Sequence, residues 1–277
     1  MMEIKGLAVA EKIKTDIKEK MHIISQKGID PKLAVFRVGE REDDIAYEKR
    51  LIKNAKELGI SVERILIGDC DSFEKFQHEF STLNDDKGIH GIILFRPLKN
   101  KVWEEYAKNN INPDKDVDCM GYNNLAKPYL NKFSGILPAT PSACMEILKY
   151  YNITLKGKKV SIINRSTVLG KPLGMMLLNE NATVTFCHSK TENLKEITKN
   201  SDIVITGIGK AGYFDESYFN DNSVIIDVGI NFDDDGMVGD VKRNMGNKVR
   251  AVTPVPGGVG IVTSSILFRN LLCNIDI

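Results

Sequence analysis

The sequence predicts an α/β protein of two domains, with parallel strands covered by helices. Three observations carry that expectation. Short β-branched runs alternate with segments of helical periodicity along most of the 277 residues, the pattern of a parallel sheet buried on both faces. A Pro- and Asn-rich passage from Asn109 to Pro141 interrupts the alternation and reads as a domain junction. After Gly157 the alternation resumes with the buried-strand run Val160-Ile162-Ile163, a turn of the sequence NRSTVLG, and Pro172 placed for a first helical turn.

The elements follow in order. Ile13, Ile17, Met21 and Ile24 recur at helical spacing between charged residues, so an amphipathic helix is expected from Val9 to Ile24, closing near Gly28. Leu33 to Val38 reads as a strand, Gly39 to Asp44 as a charged loop, and Ile45 to Leu58 as a helix closed by Gly59. Ser61 to Ile67 is a strand, and the next helix carries Phe73, Phe76, Phe80 and Leu83 on one face, most simply as core. Ile89 to Phe95 is a strand closed by Arg96-Pro97-Leu98, and a helix from Ser142 to Tyr151 crosses the junction.

Past the junction, strands are expected at Thr183–Phe186, Asp202–Thr206 and Val224–Val228, with a helix near Leu194–Asn200. Such repeated βα units fit a dinucleotide-binding domain. The strand, turn and helix opening at 158–178 is a candidate anion site, because free N–H groups and the positive dipole end at a helix N-terminus favour phosphate. The G-x-G-x-x-G fingerprint is missing, and an ordinary βα unit fits the same segment. The tail TPVPGGVGIVTSSILFRNLL is a Pro/Gly loop feeding a last helix.

Composition narrows the partners. Thirty-eight Lys and Arg balance 37 Asp and Glu to leave +1, with the signs mixed along the chain, so neither nucleic acid nor a membrane surface is an expected partner. Cys70, Cys119, Cys144, Cys187 and Cys273 are odd in number and scattered, which argues against a disulfide framework or a zinc site and for a reducing compartment. No apolar h-region or long hydrophobic span is present, so the expected location is cytoplasmic. No metal site is expected.

Several stretches, ordinary one by one, become specific in their order and spacing. They are Val38-Gly39 with Tyr47, Gly91-Ile92-Ile93 through Pro97-Leu98, PDKDVD at 113–118, and Pro138 to Pro141. The series continues with Arg165-Ser166 to Gly170-x-Pro172, His188-Ser189-Lys190-Thr191, Asp227-Val228-Gly229-Ile230-Asn231, Gly239-Asp240-Val241 and the Pro/Gly loop from Thr253 to Gly260. Over nearly its whole length the chain resembles the methylenetetrahydrofolate dehydrogenase/cyclohydrolase family.

The resemblance implies oxidation of 5,10-methylenetetrahydrofolate to the methenyl form with a nicotinamide cofactor, and in typical members hydrolysis of the product to formyltetrahydrofolate. It implies a cleft between two α/β domains, the second a Rossmann-type unit, and a homodimer. The expected division is a folate-binding domain at 1–140, an NADP-binding domain at 141–261, and a terminal helix at 262–277 packing back on the first. By resemblance Tyr47 and Asp118 act on the substrate with Pro256, Gly257 and Gly258 beside it, and Asn164, Arg165, Ser166, Ser189 and Ile230 line the cofactor. Asp118 suits a pterin because a carboxylate accepts hydrogen bonds from an aminopyrimidine edge.

The residues themselves choose between cofactors. NAD-type units hold the ribose 2′-OH with an acid about 20 residues past the glycine turn. Here the second strand runs into Cys187-His188-Ser189-Lys190, without an acid. Arg165 and Ser189 are placed to receive a 2′-phosphate, with Lys190 either joining them or standing, like His188, as a solvated loop residue, so NADP is the expected cofactor.

Departures from the family pattern bear on the second activity. Members usually carry a lysine four residues after the tyrosine, where this chain has Leu51, and a glutamine where it has Phe95. Neither replacement moves a proton. Lys49 and Lys53 point away from that helix face, and Arg50 stays protonated. Weak or absent cyclohydrolase activity is therefore expected; a bifunctional enzyme using another group, and a non-catalytic binder of folate or nucleotide, are the alternatives. Cys119 replaces a usual glycine, Ala139 a cysteine, Asn164 a glycine tolerated because asparagine accepts left-handed backbone, and Ile261-Val262 proline-methionine.

Overall fold

A computed structural model describes residues 1–275 apart from 235, 244, 246 and 247. Its elements begin with β1 (Met2–Glu3), α1 (Gly6–Gln26), β2 (Lys32–Val38), α2 (Glu42–Glu57), β3 (Ser61–Ile67), α3 (Phe73–Asp85) and β4 (Gly91–Leu94). There follow α4 (Lys101–Asn110), α5 (Tyr122–Ala126), α6 (Ala139–Tyr150), β5 (Lys159–Ile163), α7 (Gly170–Asn179), β6 (Thr183–Cys187) and α8 (Leu194–Lys199). The last are β7 (Ile203–Thr206), β8 (Val224–Asp227), β9 (Asn231–Asp233), β10 (Gly236–Val238), β11 (Ala251–Val252) and α9 (Val259–Leu272). Two compact units divide the chain: an N-terminal one of Ile13–Lys127, Phe133–Ala139 and Leu267–Ile277, and a C-terminal one of Met1–Lys12, Pro128–Lys132 and Thr140–Ile266.

The N-terminal unit holds a parallel sheet in the order β3-β2-β4. The central strand β2 is buried at its five interior positions, whereas β3, at the edge, leaves Glu63, Ile65 and Leu66 partly or fully exposed. Phe76 and Phe80 of α3 pack edge-on against Phe36 of β2, and Trp103 of α4 stacks on Phe76 at 4.9 Å, so the aromatic stripe is core. Ser72 caps α3 by accepting from Lys75 N–H at 3.2 Å. Glu48 of α2 is buried and takes Arg37 of β2 at 2.7 Å, and it also takes Arg64 of β3. That triad fixes which face of α2 turns inward.

Local expectations change at several points, and α1 and α6 begin three residues early, at Gly6 and Ala139. The helix α2 also begins three residues early, at Glu42, because Glu42, Asp43 and Asp44 suit the positive end of its dipole. The junction passage holds the short helix α5, and ahead of it lies α4, a helix where no element is expected. Asn100 Oδ1 accepts from Val102 and Trp103 N–H and starts α4, whose buried positions are only Trp103, Glu104 and Ala107, too few for a visible apolar stripe. The last helix runs from Val259 to Leu272 instead of from 262 to 277; the final two positions of that expectation lie outside the described residues.

The C-terminal unit holds a six-stranded parallel sheet in the order β1-β11-β8-β7-β5-β6. The strands β5, β7 and β8 are buried along nearly their whole length. From β5 the chain moves outward to β6, and from β7 it moves the other way to β8. The carboxyl ends of β5 and β7 therefore flank a topological switch point, where open α/β sheets bind ligands.

Candidate substrate and cofactor sites

In the N-terminal unit, β4 delivers Phe95 and Arg96, α2 delivers Tyr47 and Leu51, and the loop after Asp116 delivers Asp118. The loop is pinned at several points. Ile92 N–H donates to Lys115 O at 2.6 Å, buried Asp116 accepts from Met120 and Gly121 N–H at 2.9 Å each, and Asn270 of α9 donates to Val117 O at 2.8 Å. Burial pushes the Asp116 carboxyl up to about 6 against those two N–H groups, with Asp118 adding to the rise and Arg96 opposing it. Cys119 sits buried at φ 52°, a left-handed conformation that accounts for the usual glycine. Burial and the nearby Asp116 and Asp118 raise its thiol well above the ordinary range.

Asp118 is half-buried, and its Oδ2 accepts from Arg96 Nη2 at 2.8 Å. Tyr47 is half-buried, its ring 5.2 Å from that of Phe95, with the Arg50 guanidinium 5.4 Å from its centroid. Burial, and then the charge of Asp118, raise the Tyr47 hydroxyl above its ordinary range. The phenol therefore stays protonated and offers a donor. Leu51 and Phe95 are buried, while Lys49 and Lys53 are exposed. Sequence reasoning missed Arg96, treating it only as the end of a strand; a charged residue between Phe95 and Pro97, directly after a buried run, was the available signal.

In the C-terminal unit, the register pairs Ile163 with Cys187 and with Thr206. The loops holding Asn164–Ser166, Ser189 and Gly207 therefore leave the same sheet edge. Arg165, Ser166 and Ser189 are exposed. Ile230 is exposed too, in the segment after β8. Buried Asp240 organises that edge by accepting from Ile208 N–H at 2.6 Å, Lys210 N–H at 2.9 Å and Asn231 Nδ2 at 3.1 Å. Beside it, burial raises Asp227 to about 6 even though Val241, Gly229 and Asp240 donate backbone N–H groups to it. Pro256 is exposed, Gly257 has φ +105°, and Gly258 is buried, where a side chain would meet Pro254 O at 2.5 Å.

The start of α7 differs from the expected open helix N-terminus. Leu169 N–H donates to Ser166 Oγ at 3.1 Å, Gly170 N–H to Asn164 Oδ1 at 3.1 Å and Lys171 N–H to Ser166 O at 3.0 Å, while Pro172 has no N–H. The first-turn donors are thus taken internally, and anion recognition at this turn falls to side chains. Asn164 is not left-handed either; its amide closes the turn, accepting from Ser166 N–H at 2.8 Å and donating to Gly207 O at 2.6 Å across the switch point. Among the described residues, no group of three or more His, Cys, Asp or Glu is placed to hold a metal ion, and no helix is long and apolar enough to cross a membrane.

A parallel sheet with a switch point, exposed Arg and Ser side chains at its carboxyl edge and no acid at 188–191, directly after β6, define an α/β protein of the nucleotide-binding class. Residues 4–118 match the family model described as the tetrahydrofolate dehydrogenase/cyclohydrolase catalytic domain, and residues 138–276 match that family's NAD(P)-binding domain. The chain belongs to the tetrahydrofolate dehydrogenase/cyclohydrolase family. It is 48% identical over 269 residues to a bifunctional protein FolD of Clostridium botulinum, covering 96% of this chain and 95% of that protein. The crystal structure of the bifunctional FolD of Campylobacter jejuni superposes with a TM-score of 0.92 at 35% identity, covering 98% of this chain and 97% of that one. The Trypanosoma brucei enzyme, complexed with NADP and an inhibitor, gives 0.92 at 31% identity, covering 99% and 96%.

Proposed function

We propose that the protein oxidises 5,10-methylenetetrahydrofolate to 5,10-methenyltetrahydrofolate with NADP, and that its cyclohydrolase activity is weak or lost. Family membership supports the dehydrogenase. The observation that carries the hydrolytic part is the buried hydrocarbon of Leu51 and Phe95 beside Tyr47. Tyr47 and Asp118 hold the substrate: the protonated phenol donates to or stacks on the folate, and the carboxylate accepts from the aminopyrimidine edge. By the family likeness Pro256, Gly257 and Gly258 are assigned to substrate binding.

The exposed side chains of Arg165, Ser166 and Ser189 suit the 2′-phosphate of NADP, and Asn164 and Ile230 complete the cofactor contacts. When bound, the nicotinamide supplies the hydride acceptor. Hydride leaves a carbon flanked by two nitrogens whose lone pairs stabilise the developing cation, so the protein's share is alignment and exclusion of water, not proton transfer. Oxidation can therefore persist where hydrolysis fails. We take residues 1–140 as the folate-binding part, apart from Met1–Lys12 and Pro128–Lys132, which belong to the C-terminal compact unit, 141–261 as the NADP-binding part and 262–277 as returning to the former, in a cytoplasmic homodimer; the family models, one ending at 118 and the other starting at 138, support a division of this kind.

A fully bifunctional enzyme that recruits another group for hydrolysis is the second reading, and the names of the C. botulinum and C. jejuni relatives favour it. Two assays separate the readings. Methylenetetrahydrofolate with NADP should yield the methenyl product, and methenyltetrahydrofolate alone should decay at its spontaneous rate. Decay well above that rate would establish the bifunctional reading. No product in the first assay, with cofactor bound, would leave only a binder.

A further inference from the structure

We infer that Arg96 is the substrate-positioning residue of this site, acting through Asp118. The inference rests on the folate reading above. Asp118 leaves the loop after Asp116 with one carboxylate oxygen, Oδ2, held by Arg96 Nη2 at 2.8 Å. Its Oδ1 has no partner among the described residues, and the side chain is one-third exposed while that of Arg96 is 16% exposed. One oxygen is thus fixed from the protein side, and the other is presented.

The alternatives on neighbouring elements do not serve. Arg50 lies over the Tyr47 ring, and Arg41 is engaged by Asp43 at 2.5 Å and by Pro97 O at 3.3 Å. Lys49 and Lys53 are exposed. Arg96 is also well placed to hold a fixed orientation, because it lies two residues past the buried strand β4, after buried Phe95, and precedes Pro97. A guanidinium in that place orients a carboxylate and keeps its charge without exchanging a proton. An aminopyrimidine presents its donors in one plane, so a carboxylate free to rotate would meet them in only part of its conformations.

The test is a double-mutant cycle read by direct binding of tetrahydrofolate and, separately, of NADP to the full chain. Arg96→Met should weaken tetrahydrofolate roughly tenfold or more with NADP affinity within about twofold, the latter showing that the protein is folded. Arg96→Lys should recover part of the loss, because it restores the charge without the planar fork. In the Asp118→Asn background, Arg96→Met should cost little further. In turnover, Arg96→Met should raise KM for methylenetetrahydrofolate more than it lowers kcat. Equal losses in the Asp118 and Asp118→Asn backgrounds, or unchanged tetrahydrofolate binding by Arg96→Met, would overturn the inference. Failure of the unmodified protein to bind tetrahydrofolate would instead overturn the folate reading and this inference with it.

Discussion

The rings of Tyr47 and Phe95 lie 5.2 Å apart at an interplanar angle of 51°. Phe95 directly follows the buried strand β4 and Tyr47 sits one helical turn before buried Leu51, which places hydrocarbon beside the phenol. Each side chain packs well there. Neither side chain offers Tyr47 a base or an amide.

That packing sets the first prediction. The double substitution Leu51→Lys, Phe95→Gln should produce methenyltetrahydrofolate hydrolysis above the spontaneous rate, while oxidation with NADP stays within a few-fold. A lysine placed at a site as dry as that of Leu51 would have its pKa lowered by desolvation, which suits a proton carrier near neutral pH. It would also cost on the order of 2–4 kcal/mol of stability through lost packing and buried charge. Stopped-flow decay of the methenyl chromophore and a thermal melt read the two effects.

Arg165 makes no side-chain hydrogen bond or ion pair among the described residues and is exposed at the carboxyl edge of the sheet. Removing it should therefore leave the fold alone and act on the cofactor. Arg165→Ala is expected to lower kcat/KM with NADP roughly 10- to 100-fold while changing the rate with NAD little. Equal losses with both cofactors would mean that Arg165 does not read the 2′-phosphate.

Asn164 acts through the backbone. Its amide holds the β5–α7 turn to Gly207 O at 2.6 Å and takes the Gly170 N–H that a helix N-cap would otherwise satisfy. Asn164→Ala should cost about 1–3 kcal/mol, read as a lower midpoint in denaturant. Asn164→Asp should not rescue it, since a carboxylate oxygen would then face the Gly207 carbonyl. Loosening of the turn should also raise KM for NADP, because Arg165 and Ser166 ride on it.

Local pattern made much of the fold legible. The limits of β3 and the inward aromatic face of α3 follow from periodicity, and the family likeness follows from motifs in their order. Where a feature depends on one distant partner, the sequence carried no periodic signal. The helix α4 hangs on the Asn100 cap and on Trp103, Arg96 gains its meaning from Asp118 22 residues later, and the closed start of α7 comes from an asparagine six residues upstream of Gly170. Such pairings are set by the third dimension. The same holds for Cys119, whose left-handed backbone is invisible in its side-chain type.

Asp116 gives a pH-dependent test of the loop that carries Asp118. Its carboxyl is buried and raised to about 6 from an unperturbed 3.8. Below about pH 4 both folded and unfolded chains hold the proton; between about 4 and 6 only the folded chain does. Above about 6 both are ionised, and the folded state bears the full cost of the buried charge. The stability linked to Asp116 is therefore present at low pH and lost as pH rises from about 4 to about 6, by on the order of 2–3 kcal/mol. Asp116→Asn has no such titration, but its NH2 group faces one of the Met120 and Gly121 N–H donors and lowers stability at every pH. The unmodified protein should thus exceed the variant most at about pH 4, and the gap should narrow by those few kcal/mol at pH ~6.5. Denaturant midpoints of the two proteins across that range measure it. A gap that widens with pH would mean that the two N–H donors outweigh burial and that Asp116 is ionised throughout.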